Sequence, residues 1–163
     1  MTRDDFTFFH TLRVRWAEVD RQDVVFNGHY FLYFDVAVSE YWRAIGFNYP
    51  QDIVDRFGTD IYAVKAAAEY QSSATYDDVL DIGCRVARIG RSSMQFRLGI
   101  FRGSEQLTSG ELIYVNADPG TRRSAPWPEP LQKAILGYEK LQPENVVQPA
   151  ELTVRSRTPK AGV

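Results

Sequence analysis

The sequence predicts an α+β domain in which a five-stranded antiparallel sheet wraps around one long helix. Three observations carry this expectation. Leu12, Val14 and Trp16 alternate with Arg13 and Arg15, the period of a strand with one buried face, and the chain then passes at once into helical spacing. In that second segment Tyr30, Phe34, Val38, Tyr41 and Ile45 recur on one stripe, which Phe31, Ala37 and Trp42 widen, so the helix is apolar on most sides and must be surrounded by protein. Downstream, several alternating segments follow one another, separated by short turn signals.

In order, the first strand feeds into a turn holding Asp20, and the long helix follows, with Gly46 suited to the left-handed position just past its end. Asn48 to Gly58 reads as a loop with one short helical turn. Ile61 to Ala74 reads as a second strand, despite the run Ala66-Ala-Ala68. Leu80, Ile82, Cys84 and Val86 mark a third strand, Gly90-Arg-Ser-Ser93 a turn, and Met94, Phe96, Leu98 and Ile100 a fourth strand. Arg102-Gly-Ser-Glu105 forms a hairpin loop before a fifth strand from Leu107 to Asn116, which Asp118-Pro-Gly120 ends. After a Pro-rich connection, Leu131, Ala134, Ile135, Tyr138 and Leu141 suit a short amphipathic helix. The expected organisation is one domain over residues 1–141 and a polar, Pro-bearing tail over 142–163.

Composition narrows the function classes. The chain has 163 residues, 44% of them hydrophobic, enough for one ample core. A formal charge of -2 argues against a general nucleic-acid binder. No apolar run approaches the roughly 20 residues that span a bilayer, and Met1-Thr-Arg-Asp-Asp lacks a signal-peptide core, so no membrane partner and a cytoplasmic location are expected. Cys84 is the single cysteine, which leaves no internal disulfide and fits a reducing compartment. A G-x-S-x-G elbow, a phosphate-binding G-x-x-x-x-G-K-[ST] loop and an H-E-x-x-H zinc motif are all missing from the sequence, and no metal ligand set is visible.

The stretch Arg15-Trp-Ala-Glu-Val-Asp-Arg-Gln-Asp-Val-Val-Phe-Asn-Gly-His-Tyr30 is the most informative. It sets a carboxylate, Asp20, near the start of a buried helix, where backbone N–H groups without intrahelical acceptors carry partial positive charge. A buried acid beside such donors is minimal equipment for hydrolysing an activated acyl group. An aspartate at a strand-to-helix junction is, on its own, ordinarily a turn or capping residue. Glu18 shares a face with Asp20 by strand alternation and reads as a solvated strand-end acid, and His29 reads as a structural residue, because a helix N-terminus disfavours imidazolium.

Taken together, Trp16-Ala-Glu-Val-Asp20, Val24-Val-Phe-Asn-Gly-His-Tyr30, Glu69-Tyr-Gln71, Asp77-Asp78 and Arg88-Ile-Gly-Arg-Ser-Ser93 make the chain resemble a hotdog-fold acyl-CoA thioesterase of the 4-hydroxybenzoyl-CoA thioesterase type, from about Leu12 to Pro130. The resemblance implies a hotdog fold and hydrolysis of an acyl-CoA to a carboxylic acid and free CoA. Asp20 would be nucleophile or general base, and the backbone N–H of Asn27, with Gly28, would polarise the thioester carbonyl. No cofactor is implied, since coenzyme A is part of the substrate. Tyr30 and Phe34 read first as core and are also candidates to line the acyl pocket, to which the Ala66 to Tyr70 region of a second subunit, with Glu69 and Tyr70, would contribute, and Arg88, Arg91, Ser92 and Ser93 would hold the nucleotide end of coenzyme A. For the last four the ordinary charged hairpin is the competing reading, and Arg122 and Arg123 are further candidates. One departure stands out: Asp23 occupies a position where many relatives have glycine. It either perturbs its neighbour Asp20 or simply faces solvent, in a turn conformation that aspartate tolerates. The alternative function is a non-catalytic hotdog module that binds acyl-CoA or an acyl carrier as sensor or scaffold. An isolated five-stranded sheet leaves open edges, so a homodimer or homotetramer with active sites at subunit interfaces is expected.

Overall fold

The computed structural model of the protein describes residues 1–144; most of the expected tail, residues 145–163, lies outside the described residues. Five strands, β1 (Phe8–Arg13), β2 (Asp60–Tyr70), β3 (Val79–Ile89), β4 (Ser93–Arg102) and β5 (Glu105–Ala117), form one sheet in the order β1-β3-β4-β5-β2. Every neighbouring pair is antiparallel. The long helix α1 (His29–Ala44) packs across one face of the sheet against β1, β3 and β2. A second helix, α2 (Glu129–Tyr138), adds Leu131 and Ile135 to the same core. This is the hotdog architecture that the sequence predicts.

The core is the meeting of one helix stripe with alternate residues of the strands. Phe34, Ala37 and Tyr41 of α1 are fully enclosed, and they meet Leu80, Ile82, Cys84 and Val86 of β3 and Met94, Phe96, Leu98 and Ile100 of β4. Gly110 is small for a steric reason: a Cβ built there would fall inside the Phe34 ring. Helix α1 stops where Gly46 turns to φ 89°, a conformation glycine adopts without steric cost. The loop after it carries one wide helical turn at Gln51–Asp55.

Three local expectations are corrected. The first strand is Phe8–Arg13 and ends before Trp16, which instead opens a short turn and is 75% exposed. Strand β2 ends at Tyr70, because Gln71 and Ser72 both turn their N–H groups to the Leu107 carbonyl and Ala74 then pairs with Val25. Finally, α1 is not enclosed on all sides. Phe31, Leu32 and Val36 are exposed, since a single curved sheet covers only the stripe of the helix that faces it. No helix among the described residues is long and apolar enough to cross a membrane.

Candidate active site

Residues Glu18 to Phe26 form a short hairpin that stands in front of α1. Val19 bridges Val25 antiparallel, and the Phe26 N–H donates to the Glu18 carbonyl at 2.9 Å. The turn between them is closed by two backbone bonds, from the Asp20 N–H to the Val24 carbonyl at 2.9 Å and from the Asp23 N–H to the Asp20 carbonyl at 3.0 Å. Asp23 takes φ 61°, the left-handed conformation that lets a tight turn rejoin its strands. Aspartate fits this turn because a short polar side chain visits that region at lower cost than other non-glycine residues.

Asp20 is half-buried, not fully buried as expected from the sequence. One carboxylate oxygen, Oδ1, accepts the Gln22 N–H at 2.7 Å, a side-chain turn that fixes the carboxyl orientation. The other oxygen has no donor among the described residues. Asp20 forms part of the wall of an open cleft of about 400 Å³ that it shares with Val24, Phe26, Asn27, Tyr30 and Tyr70 and with Gln71, Ser72 and Ser73. On its other side Asp20 borders a shallower hollow of about 140 Å³ together with Trp16, Asp23 and Tyr76.

Across the cleft, the chain enters α1 through Asn27 and Gly28. Gly28 is the residue before the first helical turn, with φ -65° and ψ -27°. Neither the Asn27 nor the Gly28 N–H has an acceptor among the described residues, whereas the His29 N–H is already used by the Phe26 carbonyl at 2.9 Å. The Tyr70 hydroxyl donates to the Asn27 carbonyl at 3.0 Å and so fixes the plane of the Asn27–Gly28 peptide. Tyr30 lies beneath this junction. Its hydroxyl accepts the Ala74 N–H at 3.0 Å, and burial pushes its pKa up, so it stays a neutral phenol. A carboxylate and Asn27, whose backbone N–H is uncommitted, therefore border one cleft, with the Gly28 N–H next along the chain, an arrangement suited to an acyl-transfer step.

The other candidates divide. Tyr30 and Tyr70 line the cleft, and their rings meet edge to face at 5.2 Å. Phe34 does not line it; the ring is wholly enclosed under Gly110 and belongs to the core. Strand alternation sends Glu69 to the opposite face of the sheet from Tyr70, where it borders an outer hollow with Lys65, Arg97 and Glu111. Arg91 and Ser92 form the β3–β4 turn, between Arg88 near the end of β3 and Ser93 at the start of β4, at the end of β3 opposite the Asp20 hairpin, and the 11 residues of that strand span about 30 Å. That turn is structurally tied: the Arg91 carbonyl accepts the Trp127 N–H at 3.0 Å and the Ser92 carbonyl accepts the Asn116 N–H at 2.8 Å. Arg122 and Arg123 lie at the same end, with the Arg122 guanidinium 5.0 Å from the Tyr62 ring centre. His29 packs against Phe26 and is absent from the cleft wall. Among the described residues no cluster of three or more histidine, cysteine or acidic side chains could hold a metal ion.

Glu18 reverses its expectation. It is 3% exposed and fully hydrogen-bonded: Oε2 accepts the Arg15 N–H at 2.7 Å and the Tyr33 hydroxyl at 2.7 Å, and Oε1 accepts the Arg15 guanidinium. Burial pushes its pKa up, but the Arg15 and Tyr33 donors more than offset that and hold the carboxyl below its ordinary range. The Arg15–Glu18 spacing is visible in the sequence. The partner Tyr33, 15 residues on, is not signalled by any local pattern.

Residues 22–109 match the thioesterase superfamily model, a span that begins two residues after Asp20. The chain belongs to the thioesterase superfamily and is a thioester hydrolase. It is 30% identical over 95 residues to a protein of Aquifex aeolicus named "Putative esterase", covering 58% of this chain and 73% of the relative. It is 22% identical over 131 residues to the acyl-CoA thioesterase YbgC of Haemophilus influenzae, covering 80% of this chain and 96% of the relative. A solved structure from Staphylococcus aureus, of a hypothetical protein in complex with CoA, superposes with a TM-score of 0.75 at 19% identity, covering 93% of this chain and 95% of that one, which shows a shared fold.

Proposed function

We propose that the protein hydrolyses an acyl-CoA, with Asp20 as the reactive carboxylate and the backbone N–H of Asn27, with Gly28, as the donors that receive charge developing on the thioester oxygen. The observation that carries this is a single cleft bordered by Asp20 on one side and by the uncommitted start of α1 on the other. As general base, Asp20 takes a proton from water while the water oxygen bonds to the carbonyl carbon. The tetrahedral oxyanion then collapses, the carbon–sulfur bond breaks, and the thiolate leaves and is protonated. As nucleophile, Asp20 bonds to the carbonyl carbon, the carbon–sulfur bond breaks as the thiolate leaves and is protonated, and water opens the resulting anhydride to release the acid and restore the carboxylate. Both routes need the same carboxylate and the same donors, and neither draws on a metal or cofactor. A positioned base contributes roughly 10² to 10⁴ in rate, and each oxyanion donor about 3 kcal/mol.

Coenzyme A as the thiol is supported by the name of the Haemophilus relative and by the CoA held in the Staphylococcus structure. The 4-hydroxybenzoyl type rests on the motif resemblance alone. We further propose that the working unit is a homodimer or homotetramer with the site at an interface. The Arg88–Ser93 turn is too far from Asp20 to serve the same substrate within one protomer, whereas a second copy could present it. The edge strand β2, with Val64 61% exposed, and the exposed Phe31 on α1 offer the surface for that copy.

The test is free-thiol release from a panel of aromatic and aliphatic acyl-CoAs by the purified protein. Release with at least one member supports the proposal and identifies the acyl class. Silence across the panel beside measurable acyl-CoA binding would favour the sensor or scaffold reading instead.

A further inference from the structure

The proposed chemistry requires the Asp20 turn and the start of α1 to keep a fixed relation, and the Val24–Phe26 arm of the hairpin runs directly into the helix through Asn27 and Gly28. Hydrogen bonds fix that arm as well: the Phe26 carbonyl accepts the His29 N–H at 2.9 Å, and Ala74, whose carbonyl accepts the Val25 N–H, donates its own N–H to the Tyr30 hydroxyl at 3.0 Å. Asp20 itself makes no hydrogen bond to α1 among the described residues. The side-chain bond that ties the other arm, the one leading to Asp20, to α1 is made by Glu18. Its backbone carbonyl anchors the hairpin root through Phe26, while its carboxylate reaches the Tyr33 hydroxyl on α1 at 2.7 Å. Arg15 fills the remaining acceptor positions, through its N–H at 2.7 Å and its guanidinium, so the carboxylate is fixed from three directions. The cluster is enclosed at Glu18 and Tyr33, whereas the Arg15 side chain is largely exposed.

We propose that Glu18 and Tyr33 are positioning residues, a clamp that sets the Asp20 carboxylate at reacting distance from the N–H donors at the start of α1. The inference rests on the reading that Asp20 and that helix start are the reacting groups. Neither clamp residue touches the substrate. Their effect passes through the two-residue link from Glu18 to Asp20, and a displacement of about 1 Å in a reacting group costs on the order of 10²-fold in rate.

The experiment compares Glu18→Ala, Tyr33→Phe, the double variant and Glu18→Gln with wild type on whichever acyl-CoA the protein hydrolyses, with thermal unfolding recorded for each. Tyr33→Phe keeps the buried ring and removes only the clamping hydroxyl, so it separates positioning from folding. The clamp predicts a kcat lowered by about 10 to 100-fold in Glu18→Ala and Tyr33→Phe, with KM within about twofold. The double variant should lose no more than the worse single one, because both cut the same link. Glu18→Gln should restore kcat to within about threefold, since it keeps an oxygen for the Tyr33 hydroxyl and the Arg15 N–H while the exposed guanidinium turns to solvent. A kcat within twofold of wild type in folded Tyr33→Phe, additive losses, or a loss carried by KM alone would overturn the clamp. A wild-type protein with no hydrolysis of any acyl-CoA would instead count against the proposed function.

Discussion

At the level of single residues, the hairpin that carries Asp20 is governed by one backbone conformation. Asp23 at φ 61° closes the turn, and aspartate occupies it because its side chain is short and polar. Two substitutions read this out in urea unfolding. Asp23→Gly removes the left-handed strain but adds chain entropy, and is expected within about 0.5 kcal/mol of wild type. Asp23→Val, with a branched side chain in the same conformation, is expected to lose about 1–2 kcal/mol; equal stability of the two would show that the turn does not hold this conformation. The turn, its carboxylate and the helix start were legible in the sequence because all three are local. Glu18 was not. Alternation put it on a strand end, whereas it closes the short turn after β1, and its burial depends on a hydroxyl supplied by the second turn of α1, a partner no local pattern signals.

Among the elements, close approach of helix and sheet sets the geometry. Gly110 lets β5 lie directly against the Phe34 ring, so Gly110→Ala must push α1 outward or force Phe34 from its rotamer. Overpacking of this kind costs about 1–3 kcal/mol, read as a lower urea midpoint, and an unchanged midpoint would mean that the core has slack at this point. The fourth strand was plain in the sequence because Met94, Phe96, Leu98 and Ile100 alternate onto the helix-side core, although Gly99 and Phe101 are buried as well. Strand β1 was misplaced for the opposite reason. Phe8 and Phe9 are consecutive apolar residues because both faces are covered, Phe8 by Tyr41 on the helix side and Phe9 by Phe6, Phe101 and Arg3 on the outer side, which erases the period of two. Phe34 and Tyr30 could not be told apart by spacing either. Both recur on the helix stripe, but only the one nearer the helix start reaches the cleft.

For the whole molecule, the C-terminal part of the described chain completes the sheet. Strand β1 stops at Phe8 opposite Cys84, leaving the edge of β3 open from Val86 onward. Glu139 takes the Val86 N–H at 2.7 Å and the Tyr41 hydroxyl at 2.7 Å, while Glu144 bonds the Ala87 carbonyl and the Ile89 N–H, so this edge is closed to other chains. Burial pushes the Glu139 carboxyl above its ordinary value of 4.5, and the Tyr41 and Val86 donors only partly offset that. The folded protein therefore keeps this proton at pH values where the unfolded chain has lost it, and stability from this group falls as pH rises from 4.5 until the folded carboxyl has ionised. The Tm difference between wild type and Glu139→Gln should shrink or reverse with rising pH across that window; a difference that grows would contradict the assignment. The opposite edge, β2, has no such cover among the described residues, and it is the open edge that the proposed assembly would use. The measurement that tests the central claim most directly is the single-turnover hydrolysis rate of Asp20→Asn beside wild type on the best acyl-CoA of the panel, with acyl-CoA affinity measured in parallel. The account predicts a rate lower by about 10² to 10⁴ with affinity retained; a variant that hydrolyses the thioester at the wild-type rate would remove Asp20 from the chemistry.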